Sequence, residues 1–130
     1  MCHFIIMTPI GDFNKSYFEF LKFIEKYLKE DKNFKTFYRK NQMMKETNPK
    51  FFIKTWNNRI GKYNDQIMRR DVSFFLNKDY GDDVSDTGNN TLLKYINDFK
   101  QNYDSFSEET KTEFINFIVM LTHKSHVYFN

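Results

Sequence analysis

The chain is short of the residues that make cross-links and tight turns: one cysteine, two prolines and four glycines in 130 residues. The lone Cys2 excludes an internal disulfide framework and suits a reducing compartment. So few glycines and prolines argue against the many tight turns of an all-β sandwich or barrel. Long apolar runs are missing too. The longest uncharged apolar stretches are short ones such as Phe4 to Met7 and Phe117 to Leu121, far from the roughly 18 residues a membrane-spanning helix needs. The opening MCHFIIMTPIGDF has no basic n-region, and Thr8 and Pro9 interrupt its apolar run, so it does not read as a signal peptide. A soluble, cytoplasmic protein with no membrane partner is the expectation.

Reactive constellations are also scarce. None of Gly11, Gly61, Gly81 and Gly88 has the second glycine and Lys-Ser/Thr of a phosphate-binding loop. Every histidine lies within eight residues of a chain end, a poor setting for a nucleophile and its base. The paired carboxylates Asp82 with Asp83 and Glu108 with Glu109 sit among polar residues, where nothing raises a general acid's pKa. Two metal readings fail on spacing. Asp83, Ser85, Thr87 and Gly88 follow an EF-hand register, but its twelfth position is Lys94, which repels the ion. Cys2, His3, His123 and His126 supply zinc-ligand atoms without the spacing of a finger. We therefore assign no catalytic residue, no metal site and no cofactor, and expect a non-enzyme.

What the chain has in quantity is aromatic side chains at helical spacing. Phe, Trp and Tyr make up 19% of it, enough to fill one core in a chain of single-domain length. Phe13, Tyr17, Phe20, Leu21, Ile24, Tyr27 and Leu28 recur at steps of three and four, with Lys15, Glu19, Lys22, Glu25, Lys26 and Lys29 on the other face. That pattern predicts an amphipathic helix from Phe13, with Asp12 as its cap. Phe34, Phe37, Tyr38 and Met44 predict a second helix, interrupted by polar Asn41.

Asn48 and Pro49 read as the N-cap and first position of a third, carrying Phe52, Trp56, Ile60, Tyr63 and Ile67, with a break near Gly61. Asp71 is a further cap before the apolar cluster Val72, Phe74, Phe75 and Leu76, expected in the core. The acidic segment 78–90 reads as an exposed loop. Two more helices are expected, from Thr91 and, after Ser105 and Ser107, through Phe114, Phe117, Ile118 and Leu121. The sum is an all-α, compact single-domain bundle of about five or six helices over residues 13–130, preceded by an N-terminal arm at 1–12.

Charge is distributed unevenly. Residues 32–70 carry 11 basic and 2 acidic side chains, whereas residues 71–130 carry 5 basic and 10 acidic. A solvated surface accounts for this at its simplest; a dipolar chain also steers an anionic partner to one face. Lys35, Arg39, Lys40 and Lys45 belong to the basic segment, and we take Lys50, Lys54, Arg59, Lys62, Arg69 and Arg70 as the candidate binding face. Phosphate contact through these cations is one reading. Base stacking needs exposed rings, however, and Phe37, Phe52 and Trp56 sit at core spacing. A protein partner is therefore the first expectation and nucleic acid the alternative. Oligomeric state has no signature in the sequence.

Three segments carry a resemblance: NPKFFIKTW, YNDQIMRRDVSFFLNKDY and the Ser-Glu-Glu-Thr-Lys opening of the last helix. In them the chain resembles short helical proteins of unknown function encoded by large nucleocytoplasmic DNA viruses. The resemblance implies a viral interaction or structural protein, in the host cytoplasm, the virus factory or the virion. It implies no functional residues.

Overall fold

A computed structural model describes residues 8–27, 31–71, 73–74 and 91–130. Those residues form six α-helices and no strand, an all-α compact fold consistent with a helical bundle.

Helix α1 (Pro9–Glu25) starts four residues earlier than the apolar pattern predicts. Thr8 is the cap: its Oγ1 accepts from the Gly11 backbone N–H at 3.0 Å, and Pro9 takes the first helical position, where no N–H is needed. Asp12 is thus inside the first turn, complementing the helix dipole rather than capping it. Residues 9–12, read as part of an arm, are helical, and residues 1–7 lie outside the described residues. Seven apolar side chains of α1 are buried, from Phe13 to Ile24, on more than half its circumference. Each such burial contributes about 1.5–3 kcal/mol before conformational entropy is subtracted. The helix packs against α2, α3 and α6.

Helix α2 (Lys32–Thr47) is capped by Asp31, whose Oδ1 accepts from Asn33 N and Phe34 N. Asn48 ends this helix instead of opening the next: its N–H donates to the Met44 carbonyl at 2.7 Å. Pro49 explains the reversal, since its ring disfavours helical geometry at Asn48 and stops α2 there. Helix α3 (Phe51–Arg59) begins two residues after Pro49, with Lys50 in the cap position and no side-chain cap.

The expected break falls at Gly61, but not as a left-handed C-terminal glycine. Gly61 has no positive φ and opens a short 3₁₀ turn, Gly61–Tyr63, before α4 (Asn64–Met68). Arg70 takes the left-handed conformation instead, at φ 55°. Asp71 caps as expected, accepting from Phe74 N at 2.9 Å. Phe74 is half-buried with its ring 5.8 Å from Tyr63. Val72, Phe75, Leu76 and the acidic loop at 78–90 lie outside the described residues.

Helix α5 (Thr91–Gln101) buries Leu93, Tyr95, Ile96 and Phe99. Helix α6 (Glu108–Phe129) is capped by Ser107, which accepts from Thr110 N at 3.1 Å, and Glu108 and Glu109 occupy its first turn. It packs against α1, α3 and α4. Stacked rings join α5 to α6, with the Phe99 and Phe114 centroids 4.1 Å apart. On the far side Lys124 reaches from α6 to α1, pairing with Asp12 at 2.9 Å and donating to Ser16 Oγ at 2.8 Å.

Candidate functional site

Helix α2 is the exception to this packing. Asn33, Thr36, Phe37, Lys40, Asn41 and Met44 recur at three and four residue steps and form one stripe that lines a cleft, with Asn33, Thr36 and Lys40 exposed at its edge. Only Phe34 and Asn41 of the helix are buried. Four of the six are polar, so the stripe does not close against its neighbours, and a cleft of about 480 Å³ remains between α2, α3 and the first turns of α5.

Helix α3 provides the opposite wall with Phe51, Phe52, Thr55, Trp56, Arg59 and Ile60, and Thr91 to Tyr95 close one end. Phe52 and Trp56 are each 2% exposed, so they form the floor rather than the rim. Their rings are fixed by other aromatics: Phe52 lies 4.8 Å from Tyr17, and Trp56 packs edge-on to Phe13 and Phe20.

Two hydrogen-bonded groups stiffen the floor. Tyr17 donates its hydroxyl to Asn41 Oδ1 at 3.1 Å, and Asn41 Nδ2 donates to the Phe37 carbonyl at 2.6 Å. Asn41, which interrupts the apolar pattern in the sequence, is therefore a satisfied buried amide. Burial drives the Tyr17 phenol far above its ordinary pKa. Tyr95 is pushed up to about 12, first by burial, then by the carboxylates of Asp31 and Asp98 and a side-chain hydrogen bond with Asp31. Both hydroxyls stay protonated at neutral pH and serve as donors, not as bases.

The rim is cationic. Lys40 and Lys94 are exposed and Arg59 is half-buried, and no described lining residue is acidic. Of the six residues taken as the binding face, only Arg59 lines this cleft. Lys50 lies over the Tyr128 ring at 5.8 Å, beside the end of α6, and Lys54 follows on the exposed side of α3. Lys62 sits over Tyr63 at 5.2 Å. Arg69 is exposed, and Arg70 donates to Asn116 Oδ1 of α6 at 2.7 Å.

Lys94 and Tyr95 are missing from the sequence-derived site because they join it only through the fold. The polar stripe of α2 was the available signal: Asn33, Thr36, Lys40 and Asn41 share the face of Phe37 and Met44, which an ordinary core helix would fill with apolar side chains.

The chain matches no protein-family model, no curated protein and no solved structure. His123 and His126 are exposed on α6, and the His126 Nδ1 lies 3.3 Å from Asn130 Nδ2. Cys2 and His3 lie outside the described residues, among which no group of three or more His, Cys, Asp or Glu is placed to hold a metal. Among the described residues no helix is long and apolar enough to cross a membrane. The cleft offers an apolar floor, neutral hydroxyl and amide groups and a positive rim, an arrangement suited to holding an amphipathic anionic group.

Proposed function

We propose that the protein is a non-enzymatic helical interaction protein that binds another protein at the cleft between α2, α3 and α5. The observation that carries this reading is the contrast within α2, which has the periodicity of a packed helix yet buries only Phe34 and Asn41. Because the stripe does not close, the half-buried Phe37, Met44, Phe51 and Leu92 of the cleft leave apolar surface for a partner to cover. The sequence resemblance to short helical proteins of large DNA viruses supports the proposal that this partnership belongs to infected cytoplasm, the virus factory or the virion.

Nucleic-acid binding is the second reading, favoured by one observation: Lys32, Lys35, Arg39, Lys40, Lys45, Lys50 and Lys54 are all exposed on α2, α3 and the turn between them. Phosphates would be held by these cations with strong salt dependence. The rings needed for stacking are committed elsewhere, with Phe34, Phe52, Trp56 and Tyr95 buried in the core.

Co-purification from the source cells separates the two. Tagged wild-type protein is expected to retain a protein partner in stoichiometric amount, and the Lys40→Glu/Lys94→Glu variant to lose it. A monomer without a partner, or retention of nucleic acid alone at low salt, would overturn the protein-binding reading.

A further inference from the structure

The shape and charge of the cleft restrict what enters it. The α2 stripe runs from Asn33 to Met44, about 16 Å along the axis at the helical rise. That length is enough for anchors at i, i+4 and i+7 on a partner helix, which span about 10 Å, and the volume of about 480 Å³ lies in the range that takes bulky apolar groups. Those groups would meet the half-buried Phe37, Met44, Phe51 and Leu92, which lie over the buried Phe52 and Trp56. Above the floor, Lys40 on α2 and Lys94 on α5 are both exposed cations; no described lining residue is a carboxylate, and Asp31 and Asp98 act on Tyr95 at the α5 end.

We infer that the cleft receives an acidic amphipathic segment of the partner protein. Its large apolar side chains seat against the half-buried Phe37, Met44, Phe51 and Leu92, above the closed floor of Phe52 and Trp56, and its Asp or Glu side chains face Lys40 and Lys94. The inference rests on the protein-binding reading and gives that partner a chemistry. A basic segment would bring like charges together at the rim. Nucleic acid would need rings open for base stacking, and Phe52, Trp56 and Tyr95 of the lining are buried.

The sole tryptophan, Trp56, lines the cleft and gives a built-in reporter. The probe is a fluorescein-labelled 16-residue peptide with Leu, Phe and Leu at i, i+4 and i+7 and Glu at most other positions. A control peptide has Lys in place of Glu. Fluorescence anisotropy of the first peptide with full-length protein is expected to give saturable binding, and the unlabelled peptide is expected to change Trp56 emission. Lys40→Glu/Lys94→Glu, two exposed positions, should weaken binding by at least about tenfold. Lys15→Glu/Lys22→Glu, exposed on α1 and making the same change in net charge, should leave it within about twofold.

Equal binding of the Lys peptide, or equal weakening by both double variants, would overturn the inference by reducing it to general charge. Displacement of the acidic peptide by a single-stranded oligonucleotide at physiological salt would overturn it in favour of nucleic acid. If the acidic peptide does not bind while co-purification still yields a protein that Lys40→Glu/Lys94→Glu loses, the acidic-partner inference fails and the protein-binding reading stands. If no protein partner exists, the reading itself fails.

Discussion

The indole Nε1 of Trp56 donates a hydrogen bond to Thr122 Oγ1 at 3.0 Å, across the interface of α3 and α6, with both side chains almost wholly buried. This bond fixes the ring at the floor of the cleft and satisfies its only polar atom. Thr122→Val keeps the shape of the side chain and orphans the indole N–H. The expected cost is about 1–3 kcal/mol, read as a lower urea midpoint at unchanged slope. A midpoint equal to wild type would show that the indole finds another acceptor.

The two buried phenols predict weakness in alkali. Burial raises the folded pKa of Tyr17 and, to about 12, of Tyr95, above the ordinary 10.0. A raised folded pKa means that the stability from the neutral phenol is complete below about pH 10 and is lost as pH rises toward the folded value. For Tyr95 that window is pH 10.0 to about 12. Absorbance at 295 nm should show the eight tyrosines ionising in two groups, the later one together with loss of near-ultraviolet dichroism. Reversible ionisation of all eight below pH 11 with the fold intact would contradict the burial of Tyr17 and Tyr95.

Gly61→Ala tests the break between α3 and α4. Without a positive φ, Gly61 is not held by a left-handed requirement. A Cβ there would come to 2.9 Å from Asn57 Oδ1, the tip of a side chain that can rotate away. The substitution should therefore be neutral or stabilising by up to about 1 kcal/mol, through the entropy of the unfolded chain. Loss of more than about 1 kcal/mol in equilibrium unfolding would mean that Asn57 has no room to move, or that the glycine is left-handed.

The fold was legible where one helix's pattern was enough. The α1 stripe, the Asp71 cap, the start of the last helix after Ser105 and Ser107 and the position of the Gly61 break all follow from local spacing and capping chemistry. Local signals misled where two helix ends lie close together. Asn48 is suitable at either kind of terminus, and its N–H bond to Met44, which assigns it to α2, is not visible in the Asn-Pro pair.

Similarly, Thr8 and Pro9 read as breakers until the Thr8 cap shows them to be a helix start. The cleft was the least legible feature. Lys40, Arg59 and Lys94 come from three helices, and their convergence depends on where α5 docks, a relation between distant segments that no periodicity records. Asn41 was visible as an anomaly in the α2 stripe, and its partner Tyr17, 24 residues away, explains it.

The most direct test of the binding account is site-specific photocrosslinking in the source cells. Benzoylphenylalanine is placed either at Thr36, exposed on the rim of the cleft, or at Glu113, exposed on α6 and not part of it. The account predicts one discrete protein adduct from position 36 and none from position 113. An equal yield from both positions, or an adduct at position 36 that nuclease removes and protease does not, would contradict it.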